Sequence, residues 1–95
     1  MSVAVRFSPQ AQQTWDSLVE LREYYLLERL DEALDWIENG DRRSRVNQLQ
    51  SPAVLPDGSA WVIPVRARGV TWAVVWNVTG ENEATVHGIG RTAEF

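Results

Sequence analysis

A chain of 95 residues, 44% hydrophobic and 23% charged with a net charge of −4, has room for one core and one site, so a single domain over 1–95 is expected. The absence of cysteine excludes disulfides, thiolate metal sites and a cysteine nucleophile, and all nine basic residues are Arg, which leaves no lysine amine for Schiff-base chemistry. Residues 1–41 carry three Arg against nine acids, a net of −6, whereas residues 42–95 carry six Arg against four acids, a net of +2; a polyanion would meet the second half, and strong binding to free RNA or DNA is not expected.

Met1 to Phe7 lacks the basic and apolar regions of a signal peptide, and no apolar run nears the ~20 residues of a membrane span. The expected compartment is therefore the cytoplasm, with no membrane partner. Val3, Val5 and Phe7 alternate with Ala4 and Arg6, the period of a strand buried on one face. Ser8-Pro9 then supplies an N-cap and a first helical residue. From Gln10 to Asn39 no Gly or Pro occurs, and Ala11, Trp15, Leu18 and Val19, then Leu26, Leu27, Leu30, Ala33, Leu34 and Ile37, recur at helical spacing. A single rod of that length would span ~45 Å, too long for the domain, so a break is expected near Leu21 to Tyr25. Asn39-Gly40 ends the second helix, and Arg42, Arg43 and Arg45 follow as complement to its dipole.

Residues 41–60 read as a connection containing Ser51-Pro52 and the turn Pro56-Asp57-Gly58-Ser59. Two strands, Trp61 to Ala67 and Trp72 to Val78, flank a hairpin turn at Arg68-Gly69-Val70-Thr71; a polar turn at Thr79 to Glu83 leads to a last strand, Ala84 to Arg91. The fold class expected is α+β, a small antiparallel sheet of about four strands with two N-terminal helices on one face. Parity places Trp61, Ile63 and Val65, with Trp72, Val74, Trp76 and Val78, toward the helices, together with Ala84, Val86 and Gly88. It leaves Thr85, His87, Ile89 and Arg91 on the open face, where Arg66, His87 and Arg91, with Arg6, would converge unless a bulge intervenes.

The order strand, helix, helix, three strands, with Phe7-Ser8-Pro9 opening the first helix, carries a resemblance. So do the aromatic-led strand Trp61-Val62-Ile63-Pro64-Val65-Arg66, the aromatic-rich Trp72-Ala73-Val74-Val75-Trp76-Asn77-Val78, and the closing Val86-His87-Gly88-Ile89-Gly90-Arg91. Taken together they resemble the RelE/ParE toxins of bacterial type II toxin–antitoxin modules. RelE-type members cut mRNA on the ribosome, with Arg and Lys stabilising phosphate charge and a Tyr, His or Glu base activating the 2′-hydroxyl. The resemblance implies charge-stabilising roles for Arg66 and Arg91; His87 is the one side chain here whose ordinary pKa lies near neutrality. Val62 and Pro64 stand where RelE-type toxins often carry Lys, and the chain ends at Phe95 without the C-terminal Tyr many of them use. ParE-type members inhibit DNA gyrase by binding and need no catalytic set, and a non-toxic interaction module on the same scaffold is a third reading. The partners implied are a cognate antitoxin, whose extended or helical segment wraps the apolar surfaces, and either ribosome and mRNA or gyrase.

The other motifs read as structure. A lone His cannot build a typical zinc site, and Gly88-Ile89-Gly90 lacks the residues of a P-loop, so neither a metal nor a cofactor is expected. Asp31, Asp35 and Glu38 form a solvated acidic stripe, and the five Trp are chiefly core. Oligomeric state is left open by these patterns.

Overall fold

Ser8 sets the first helix: its hydroxyl accepts from the Ala11 amide at 3.2 Å, and Pro9 opens α1 (Pro9–Glu20) directly after strand β1 (Ala4–Phe7). These coordinates are a computed structural model that describes residues 2–50 and 59–92. Past the C-cap Leu21, the amides of Arg22 and Glu23 reach back to the carbonyls of Val19 and Leu18 at 3.1 and 3.0 Å, the paired bonds of a Schellman end. Arg22 takes the left-handed conformation this requires, at φ 57°. Helix α2 (Tyr24–Glu38) ends in the same way at Gly40, φ 67°, with Gly40 and Asp41 amides bonded to Ile37 and Trp36 carbonyls. The expected break is therefore present, made by an arginine where glycine is usual.

A 3₁₀ turn (Arg42–Arg45) leads into β2 (Asn47–Gln50), followed by β3 (Ser59–Ala67), β4 (Val70–Gly80) and β5 (Glu83–Arg91). The sheet order is β1-β5-β4-β3-β2, with β1 parallel to β5 and the other neighbours antiparallel. The class is α+β, but the sheet has five strands and is mixed, a correction to the four antiparallel strands expected. The additional strand, β2, lies in the stretch read as a connection. The parallel pair arises because the chain crosses through both helices before β5 returns beside β1. Arg68 and Gly69, both at positive φ, make a two-residue turn, tighter than expected, and Val70 already belongs to β4. The Ser51-Pro52 signal and the turn at Pro56-Asp57-Gly58 lie outside the described residues, as does Phe95.

Both helices cover one face of the sheet. Leu18, Leu26, Leu27, Leu30, Ala33 and Ile37 meet Ile63, Val65, Val74, Trp76, Ala84, Val86 and Ile89 in one buried cluster. Trp61 and Trp72 pack against it while keeping part of their surface in solvent. Val78, expected inside, is 55% exposed, next to the register irregularity where β4 approaches its turn. On the opposite face Ala60 and Val75, with Val62 against them, form a second small buried group.

Two features of the sheet decide where its polar side chains lie. Between β4 and β5 the register moves from Trp76↔Val86 to Val75↔Gly88, so His87 is an extra residue, a β-bulge. Beyond it the alternation of β5 is reversed: Ile89 is fully buried under the helices, and Arg91 pairs with Trp72 on that same side. The second feature is the outer edge of β3, which β2 covers only from Ser59 to Val62. Further along, Pro64 has no N–H to offer and the Arg66 carbonyl is taken by Arg29 Nε at 3.4 Å. No helix among the described residues is long and apolar enough to cross a membrane.

Candidate functional site

The three residues singled out as catalytic candidates are not brought together. Arg66 lies on the open face, level with Thr71 of β4, while His87 lies level with Val75 and Trp76. Four to five residues of strand separate those levels, about 13–17 Å at ~3.3 Å per residue, before the distance across β4 is added. Arg91 shares Arg66's end of the sheet but projects from the other face, because the bulge at His87 turned it over. The expected convergence on the open face is thus corrected. Arg6, also on that face, pairs with Glu83 at 3.0 Å.

His87 is engaged locally. Its Nε2 lies 2.6 Å from Asn77 Oδ1, and since an amide oxygen only accepts, Nε2 is the donor. Thr79 and Thr85 share a hydroxyl bond of 2.8 Å beside it, so this part of the open face is a polar network across β4 and β5. Among the described residues no three His, Asp or Glu side chains gather closely enough to hold a metal ion.

The arginines after α2 do not simply follow the helix end. Asp41 caps the 3₁₀ turn by accepting from the Arg43 amide at 2.9 Å, and Arg43 Nε and a terminal guanidinium nitrogen reach the same carboxylate at 3.0 and 2.8 Å. The Arg43 side chain, then its amide, hold the Asp41 pKa down to about 2, and the carboxylate raises that of Arg43 in return. Arg43 also lies over the Trp36 ring at 4.4 Å, and Arg45 over Trp76 at 5.6 Å. Beneath them, the Trp76 indole N–H donates to the Ser44 carbonyl at 2.9 Å, and the buried Ser44 hydroxyl donates to the Asp41 carbonyl at 2.7 Å. Asp41, Arg43, Ser44 and the Trp76 indole thus satisfy one another, which makes this a structural knuckle.

Arg91 belongs to a different setting. A groove of about 280 Å³ opens between the α1–α2 elbow and the β3–β4 hairpin, floored by Leu18, Leu26, Ala67 and Trp72. Tyr25 and Leu21 rise on its helix side with Glu23, and Val70, Arg68 and Arg91 stand on its sheet side. Arg91 lies over the Trp72 ring at 5.9 Å. A second depression continues the groove along α1, sharing Leu18 and Trp72 and adding Thr14, Ser17 and Ile89. Among the described residues neither Arg68 nor Arg91 pairs with a carboxylate. An apolar floor with unpaired cations on one wall is equipped to bind rather than to transform.

Sequence patterning missed this site because its parts come from four segments and Arg68 reads as a turn residue. The available signal was Tyr24-Tyr25 just after the helix break, two large aromatic residues where a solvated turn would normally be polar. Comparison with protein-family models, curated proteins and solved structures finds no match for this chain.

Proposed function

We propose that the chain is the toxin-type component of a RelE/ParE-like toxin–antitoxin module, and that it acts by binding its target rather than by cutting mRNA. The module assignment rests on the resemblance in element order and motifs, with the helix pair lying between the first strand and the long strands. The mode of action rests on one observation: Arg66, His87 and Arg91 lie too far apart, and on two faces, to act on one phosphate. Stabilising a pentavalent phosphate and removing a 2′-proton need groups within hydrogen-bond reach of the same reacting atoms. Inhibition of a partner such as gyrase asks only for a complementary surface.

Inducible expression tests both parts. Growth arrest that a neighbouring antitoxin gene relieves is expected, with intact mRNA and impaired DNA supercoiling by purified gyrase. His87→Ala and Arg66→Ala should remain toxic. Cleaved mRNA that both substitutions abolish would restore the ribonuclease reading, and normal growth on full expression would favour an interaction module without toxicity.

A further inference from the structure

Of the seven large hydrophobic residues that stand exposed among the described residues, three line the groove, Leu21, Tyr25 and Val70, and Val19 and Tyr24 adjoin them in sequence at the elbow. Leu21 is 70% exposed. Isolated apolar residues on a surface require no explanation, but this concentration borders a concave apolar floor. The charges around it are sorted as well: Glu23 is on the helix wall, and Arg68 and Arg91 are on the sheet wall. Arg68 sits in the two-residue turn between the paired strands β3 and β4 and Arg91 at the end of β5, so each projects from backbone that strand pairing anchors.

We propose that this groove docks a short segment of a partner protein in which a carboxylate side chain neighbours a large apolar one. The apolar side chain covers Trp72, Leu18 and Leu26, and the carboxylate lies between Arg68 and Arg91. Charge complementarity selects this occupant. Two unpaired guanidiniums favour an anion, and planar guanidinium forks match a carboxylate geometrically. The floor demands an apolar group beside that anion. A nucleic-acid strand carries repeated charge, which Glu23 on the facing wall and the surplus of acids in residues 1–41 oppose. Glu23 also orients the segment, since its own carboxylate repels an acid placed on the helix side. This inference does not depend on the toxin reading.

The test is a titration of the full ¹⁵N-labelled chain with the capped peptide acetyl-Leu-Glu-Phe-Glu-amide, followed by amide and indole NMR shifts. Shifts confined to the Trp72 indole, Leu18, Leu21 and the Arg68 and Arg91 region are expected, with affinity falling as salt rises. The Gln analogue of the peptide, and the Arg68→Glu/Arg91→Glu double variant, should each bind about tenfold or more weakly. Glu23→Gln should bind more tightly. Dispersion of the variant's own spectrum reports that its fold is kept, and should it unfold, Arg91→Gln alone carries the same comparison. Absence of shifts at millimolar peptide, or equal binding of the Gln analogue, overturns the proposal. So do groove shifts produced by a uridine hexanucleotide, or concentration-dependent broadening of the groove amides without peptide, which would assign the surface to nucleic acid or to a second copy.

Discussion

Trp72 and Trp76 lie on the same face of β4, four residues apart, and each has an arginine over its ring, yet their surroundings differ in nearly every other respect. Trp76 is 1% exposed, its N–H is bonded to the Ser44 carbonyl, and Arg45 lies over its ring from the turn that Asp41 caps. Trp72 keeps part of its surface in solvent at the floor of the groove, with Arg91 over its ring on the groove wall. The same pair of residue types thus serves closure in one place and readiness in the other. What separates them is whether the surrounding backbone satisfies the polar atoms. A closed site contributes stability, whereas an open one keeps its interaction energy for a partner.

The sharpest way to break the contrast is to truncate both indoles. Trp76→Ala should lower unfolding stability by about 3–5 kcal/mol in urea titration, the cost of a large buried ring and an orphaned carbonyl. Trp72→Ala should cost about 1–2 kcal/mol, because a partly solvated ring gives up less buried area. Equal losses would erase the distinction between knuckle and groove.

A smaller effect concerns pH. The folded pKa of Asp41, about 2, lies below its ordinary 3.8, so its contribution is fully present above 3.8 and is lost as pH falls through the folded value. Asp41→Asn should therefore lower the melting temperature by an amount that is constant at neutral pH and shrinks toward zero near pH 2. Parallel melting curves across that window would remove the Arg43 pair from the account of the knuckle.

The smallest expected change is a gain. Arg22 and Gly40 occupy equivalent positions in two helix ends of the same design, but only glycine adopts positive φ without a steric cost. Arg22→Gly should raise stability by about 0.5–1 kcal/mol, measured by thermal melting, since the Arg22 side chain makes no hydrogen bond or ion pair among the described residues. If the groove rim also loosens, the peptide affinity should fall while the melting temperature rises.

Legibility in the sequence followed the range of each interaction. The cap at Ser8-Pro9 and the stop at Asn39-Gly40 are local and were readable as written. The elbow at Arg22 carries no local signal, and only the size of the domain required it. β2 escaped notice because Asn47-Gln48-Leu49-Gln50 has no apolar alternation, and its strand character comes from pairing with β3. The reversal in β5 was hidden for a related reason. Gly88 and Gly90 flank Ile89, so one side chain alone records which face that stretch presents, and a single extra residue at His87 changes the answer for Arg91. That one residue is why Arg91 lies on the helix face, apart from Arg66 and His87 on the open one.

The outer edge of β3 has a consequence for growth of the sheet. An exposed strand edge is a template on which another chain can add, and runaway addition is how fibres begin. Here Arg66 faces outward with its carbonyl already occupied by Arg29, and Pro64 interrupts the row of donors. On this side of the sheet a newcomer is left with β2, four residues long, as its landing strip. The fold thereby keeps its adhesive apolar surface at the elbow, where shape and charge select what binds, and withholds it from the edge, where backbone alone would accept any strand.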